Sequence, residues 1–162
     1  AHISDECTGD SRDSCERDAK MGGENTPWFA EGSAEFMAQS LYAQQEGVDE
    51  NYLRNVMQWK LERSQDAYNA QDLPLYDIER GSDVDTYDVG AWFIAYVIHN
   101  EGEAALTDGF YGDVDELGFD GAFEMHFNKT KVDYMVEFDD FFAQPVEDVM
   151  ALFPEASSPT EP

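Results

Sequence analysis

The stretch Thr86-Tyr87-Asp88-Val89-Gly90-Ala91-Trp92-Phe93-Ile94-Ala95-Tyr96-Val97-Ile98-His99-Asn100 decides the fold class. Wound at 3.6 residues per turn, the run from Val89 to Ile98 leaves almost no polar side for water. A helix of that kind in a soluble protein has to sit in the middle of a core. The run is about half the length that a bilayer needs, so it does not read as a membrane span. A central helix must be covered by other elements. The flanking sequence supplies helical patterns and no convincing alternating run, so the expected class is all-α, a multi-helix bundle.

Working outward toward the N-terminus, residues 70–85 form a connection broken by Pro74 and Gly81. Residues 49–69 carry a helical stripe of Leu53, Val56, Met57, Leu61, Ser64 and Tyr68. Before them, Thr26-Pro27 opens a helix with Thr as N-cap and Pro at the first helical position. Its expected inner face is Phe29, Ser33, Phe36, Met37, Ser40 and Leu41, and Gly47 ends it. Toward the C-terminus, shorter helices are expected at about 102–111, 118–127, 131–142 and 146–152, divided by Gly112, Gly118, Asn128 and Pro145. The helical domain thus runs from 26 to 153. A polar loop, 1–25, precedes it, and the tail 154–162 reads as disordered.

The charge balance is extreme: 36 acidic residues against 9 basic ones give −27. From residue 64 onward, 23 acidic and 3 basic residues (Arg80, Lys129, Lys131) give −20. Such a field repels nucleic-acid phosphates and anionic membranes, which argues against nucleic acid as a partner and against membrane insertion. High charge alone suggests disorder, but the recurring apolar stripes argue for a folded chain with a densely hydrated surface suited to halophilic or marine surroundings. Calcium is the rival explanation. Asp83, Asp85 and Asp88, and the group Asp113, Asp115 and Glu116, offer the oxygens a hard cation needs, although neither fits the EF-hand pattern.

Cys7 and Cys15 lie in one polar loop and read as a small-loop disulfide in a secreted or surface-exposed chain. Asn128-Lys129-Thr130 is a glycosylation sequon. The chain opens on Ala1 without a Met, which reads as a processed or partial product.

Chemistry concentrates in Trp28-Phe29-Ala30-Glu31-Gly32-Ser33-Ala34-Glu35-Phe36. Glu31 and Glu35 are one helical turn apart, so their carboxylates share a side of the helix and repel unless something cationic lies over them. A solvated outer pair is the ordinary outcome for such residues. A metal with histidine ligands is the functional alternative, one carboxylate binding it and the other orienting a ligand histidine.

The segment WFAEGSAEF resembles the W-[LF]-x-E-G-x-A-E-[YF] segment of gluzincins, the aminopeptidase N-like zinc peptidases in which an HExxH helix precedes a glutamate helix. Tyr87-Asp88-Val89-Gly90-Ala91 is similar to the Y-x-x-G-[AS] segment opening a later helix there, although Val89 stands where lysine is usual. The resemblance covers about residues 26–143. It implies the C-terminal helical subdomain of such an enzyme, with Glu31 as zinc ligand, Glu35 supporting the metal histidines, and Tyr87 as the catalytic hydroxyl that meets the oxyanion of peptide hydrolysis.

The chain contains no HExxH, and its histidines, His2, His99 and His126, form no i, i+4 pair. The resemblance therefore implies that an upstream HExxH-containing segment, or another protein chain, completes the zinc site for a peptide substrate. It also implies that this chain alone binds zinc weakly and cleaves nothing. His99 and His126 read as packed or capping residues. Nucleophilic alternatives are poorer: Ser33 lacks the G-x-S-x-G elbow, and Cys7 and Cys15 lack a base. A non-catalytic structural, surface or filament protein on the same scaffold is the competing expectation. Under the enzyme reading, Glu31, Glu35 and the Tyr87 hydroxyl face one cleft.

Overall fold

The computed structural model describes residues 28–156. The cysteine loop, with Cys7 and Cys15, and the end of the tail lie outside the described residues. Six α-helices occur within them: α1 (Trp28–Ala43), α2 (Tyr52–Asn69), α3 (Thr86–Glu101), α4 (Tyr111–Phe127), α5 (Lys131–Phe142) and the single turn α6 (Val146–Val149). Short 3-10 turns cover Leu75–Asp77 and Met150–Leu152, and a π turn, Ala105–Phe110, leads into α4. No described residue is in a strand, so the class is all-α. No described helix is long and apolar enough to cross a membrane.

Helix α3 is the axis of the core, with every residue from Asp88 to Ala95 buried, and it packs against α1, α2 and α4. It begins where Asp85 caps it, the carboxylate accepting from Tyr87 N and Asp88 N at 3.1 Å each. It ends at Gly102, whose φ of 91° is ruled out for most side chains. Trp92, fully buried, donates from Nε1 to the carbonyl of Met57 at 2.9 Å, tying α3 to α2.

Aromatic rings fill the space between α1, α3, α4 and α5. Trp28 meets Phe93 edge-on at 5.0 Å, Phe29 meets Phe119 at 5.1 Å, and Phe93 meets Phe138 at 5.2 Å. These T-shaped pairs add about 0.5–1.5 kcal/mol each beyond the area they bury. The π turn aims Phe110 into the same cluster, 4.6 Å from Phe29.

The C-terminal helices turn on a short joint. Asn128 takes the left-handed conformation (φ 63°) that closes α4, and two residues later Thr130 caps α5, accepting from Asp133 N at 3.2 Å. The ends of the sequon thus act as a C-cap and an N-cap. Farther on, Gln65 of α2 donates to the carbonyls of Phe142 and Gln144, both at 2.8 Å, and so fastens the end of α5.

Several local expectations shift. The buried face of α1 is Trp28, Phe29, Gly32, Ser33 and Phe36, and Leu41 is left 59% exposed. The face turns because α3 approaches along Gly32, where the absence of a side chain permits close contact, and at the last turn it is Tyr42, 4.8 Å from the Tyr52 ring of α2, that faces the neighbouring helix and leaves Leu41 outside. Gly112 does not break α4, whereas Gly118 kinks it at φ 74°.

Candidate functional site

Helices α1 and α3 meet at two glycines. A Cβ on Gly32 would lie 2.4 Å from the carbonyl carbon of Gly90, and one on Gly90 would lie 2.3 Å from the carbonyl oxygen of Trp28. Backbone touches backbone here, as only glycine allows. The crossing sets Glu31, next to Gly32, near Tyr87, one turn before Gly90.

Between them stands a residue the sequence reading passed over. Arg80, on the connection before α3, places Nη2 3.6 Å from the Glu31 carboxylate and donates from Nη1 to the Tyr87 hydroxyl at 3.1 Å. The phenol and carboxylate hold its pKa above the ordinary arginine value, the Tyr87 hydrogen bond first among them. Glu31, Arg80 and Tyr87 are each partly open to water (37%, 50% and 40% exposed). The loop from Arg80 to Tyr87 encloses a shallow hollow beside them.

Glu35, one turn along α1, belongs to a different group. The Lys60 ammonium of α2 lies 2.7 Å from its carboxylate and 2.8 Å from that of Asp88. Arg63, three residues after Lys60, reaches Asp88 with its Nε and Asp85 with Nη2 at 2.8 Å. Lys60 is 4% and Asp88 1% exposed, so this ion pair is shielded from water. The hydrogen bond from Lys60 is the main reason why the Glu35 pKa falls below its ordinary value. Burial opposes the Lys60 charge, but the bonds to Asp88 and Glu35 outweigh it and hold the ammonium above the usual lysine pKa. Two buried charges are tolerated because each has its partner.

The structure therefore brings Glu31 and Tyr87 together through Arg80, and brings Glu35 to Lys60 instead. The signal for the missed residues was scarcity. Lys60 and Arg63 interrupt the stripe of α2 at i, i+3, and Arg80 is the one lysine or arginine between residue 63 and Lys129. In a chain at −27, a base set near the core has carboxylates to satisfy.

Neither described histidine reaches Glu31's group. His99 is exposed in the last turn of α3, and His126 packs its ring over Gly109 and bonds Asp113 from Nε2 at 2.7 Å. The oxygens considered for calcium are engaged in part, Asp85 and Asp88 with Arg63 and Lys60, and Asp113 with His126. Among the described residues no three His, Cys, Asp or Glu side chains gather to hold a metal ion. Glu31 has an arginine as neighbour rather than nitrogen ligands, so residues 28–156 do not by themselves fit a zinc ion. Asn128 is exposed, and its Nδ2 donates to Glu101 at 3.0 Å.

No family model, curated protein or solved structure matches the chain.

Proposed function

We propose that this chain is the glutamate-helix and tyrosine-helix part of a peptide-bond hydrolase of gluzincin type, its zinc-binding histidines coming from outside residues 28–156. The observation that carries the reading is the glycine crossing, which sets a carboxylate and a phenol, 56 positions apart in sequence, on either side of one guanidinium. A carboxylate and a hydroxyl donor at a shared partly open position suit amide hydrolysis. The Tyr87 oxygen accepts from Arg80 and keeps its own O–H to donate to an oxygen gaining charge. Such a donor accounts for about 3 kcal/mol of transition-state stabilisation.

The test uses the complete gene product. Peptide cleavage is expected, with Tyr87→Phe lowering kcat roughly 100-fold at little change in KM. Glu31→Gln is expected to lower the zinc content measured by mass spectrometry. A complete product that cleaves no peptide, or a Tyr87→Phe variant as active as the parent, overturns the reading.

One observation favours a second reading, a non-catalytic scaffold with an acidic surface. Arg80 and Lys60 already neutralise Glu31 and Glu35, leaving neither carboxylate in need of a metal. Under that reading a chelator leaves the thermal midpoint of the complete product unchanged, whereas a zinc enzyme loses stability with its ion.

A further inference from the structure

The C-terminal end of α2 and the connection 70–85 enclose a groove of about 660 Å3. That size lies within the roughly 300–1,000 Å3 typical of ligand sites. Its walls are fixed by side chains bonded to nearby backbone. Gln71 donates from Nε2 to the carbonyls of Tyr68 at 3.0 Å and Leu73 at 2.8 Å, and its Oε1 accepts from Leu73 N at 2.8 Å. On the far wall Ser82 Oγ donates to the Val84 carbonyl and accepts from Val84 N, both at 3.3 Å.

The lining mixes two chemistries. Ala70, Leu73 and Val84 offer apolar surface above the buried Ile78, and Leu73 is 54% exposed. Asp77, Glu79 and Asp83 line the same groove, and no base does. None of the three is in an ion pair among the described residues. The contrast with Glu31, Glu35, Asp85 and Asp88 is direct, since each of those has a cationic partner.

We propose that this groove binds a peptide segment presenting a large apolar side chain flanked by lysine or arginine. The apolar side chain covers Leu73 and its neighbours, and the flanking cations meet carboxylates that the fold leaves without counter-charge. Each half excludes other ligands: an acidic peptide is repelled, and a cation without an apolar side chain gains only what the whole surface offers. The proposal does not depend on the peptidase reading, because binding is measured without cleavage.

The test is fluorescence anisotropy with the full chain and three labelled peptide amides, Lys-Leu-Phe-Lys, Glu-Leu-Phe-Glu and Lys-Gly-Gly-Lys. Lys-Leu-Phe-Lys is expected to saturate, with the other two at least tenfold weaker. Ala70→Trp, which places a ring in the groove from an exposed position, is expected to weaken Lys-Leu-Phe-Lys tenfold or more while the helical circular dichroism is kept. Leu73→Ser serves the same purpose if that variant does not fold. Equal binding of Lys-Gly-Gly-Lys, no saturable binding of Lys-Leu-Phe-Lys, or binding unmoved in a folded variant overturns the proposal.

Discussion

Two regions of α3 hold the bundle in opposite ways. At Phe93 the helix is surrounded by rings, Trp28, Phe123, Tyr134 and Phe138, each within 6.3 Å, and each of these has further ring neighbours of its own. At Asp88 it is held by two cations, Lys60 and Arg63, both from α2. Ring contacts are many, undirected and mutually replaceable, so the loss of one is shared among its neighbours. A buried carboxylate has few partners, and removing one exposes the full cost of desolvating the charge. Stability is spread widely in the first region and concentrated in the second.

That contrast is tested most strongly by Lys60→Met. It leaves Asp88 buried with only Arg63, and a loss of about 3 kcal/mol is expected in urea unfolding, toward the lower end of the range for broken buried pairs. Next comes Gly90→Ala, in which the new methyl meets the Trp28 carbonyl and forces α1 and α3 apart; about 2 kcal/mol is expected, in keeping with overpacked cores. Phe123→Leu, in the middle of the rings, should cost only about 1 kcal/mol because the swap nearly conserves volume among adaptable neighbours. A larger loss for Phe123→Leu than for Lys60→Met would reverse the comparison.

The smallest effects concern the sign of the pH dependence. The Glu35 pKa is depressed, chiefly by Lys60, so its contribution is present above the ordinary carboxylate value of 4.5 and is lost as pH falls through the lower folded value. Asp139 is the opposite case. Burial raises its pKa above 3.8 despite the hydrogen bond it accepts from Tyr68 at 2.6 Å, so its contribution is lost as pH rises through that interval. Thermal midpoints measured between about pH 3 and 5 should therefore rise less steeply with pH in Glu35→Gln and more steeply in Asp139→Asn than in the parent. Slopes that move together would show that Lys60 does not set the titration of Glu35.

Much of the helical plan was legible because burial imposes a period on the sequence. The all-round apolar character of Val89 to Ile98 marked α3 as central, and Asn128 and Pro145 marked real boundaries. The reading failed where a partner decides the outcome. Hydrophobicity placed Leu41 inside, but at that turn of α1 it is Tyr42 that meets α2, at Tyr52, and Leu41 is left exposed. It gave no reason to single out Lys60, whose ammonium is buried because two carboxylates remote in sequence make that tolerable. Of the candidate site, the i, i+4 spacing put Glu31 and Glu35 on α1, yet sequence could not assign one to Arg80 and the other to Lys60. Those assignments arise from how α1, α2 and the connection 70–85 pack, and periodicity within one helix carries no information about them.

The contact between Gly32 and Gly90 acts as a gauge block. Because main-chain atoms bear on one another there, no rotamer change can widen or narrow the spacing of the two helices at that level. Salt screens the pairs of Arg80 and heat loosens its side chain, while the backbones beneath Glu31 and Tyr87 keep the same separation. The polar groups are thus replaceable fittings on a mount whose dimension is set by the polypeptide itself.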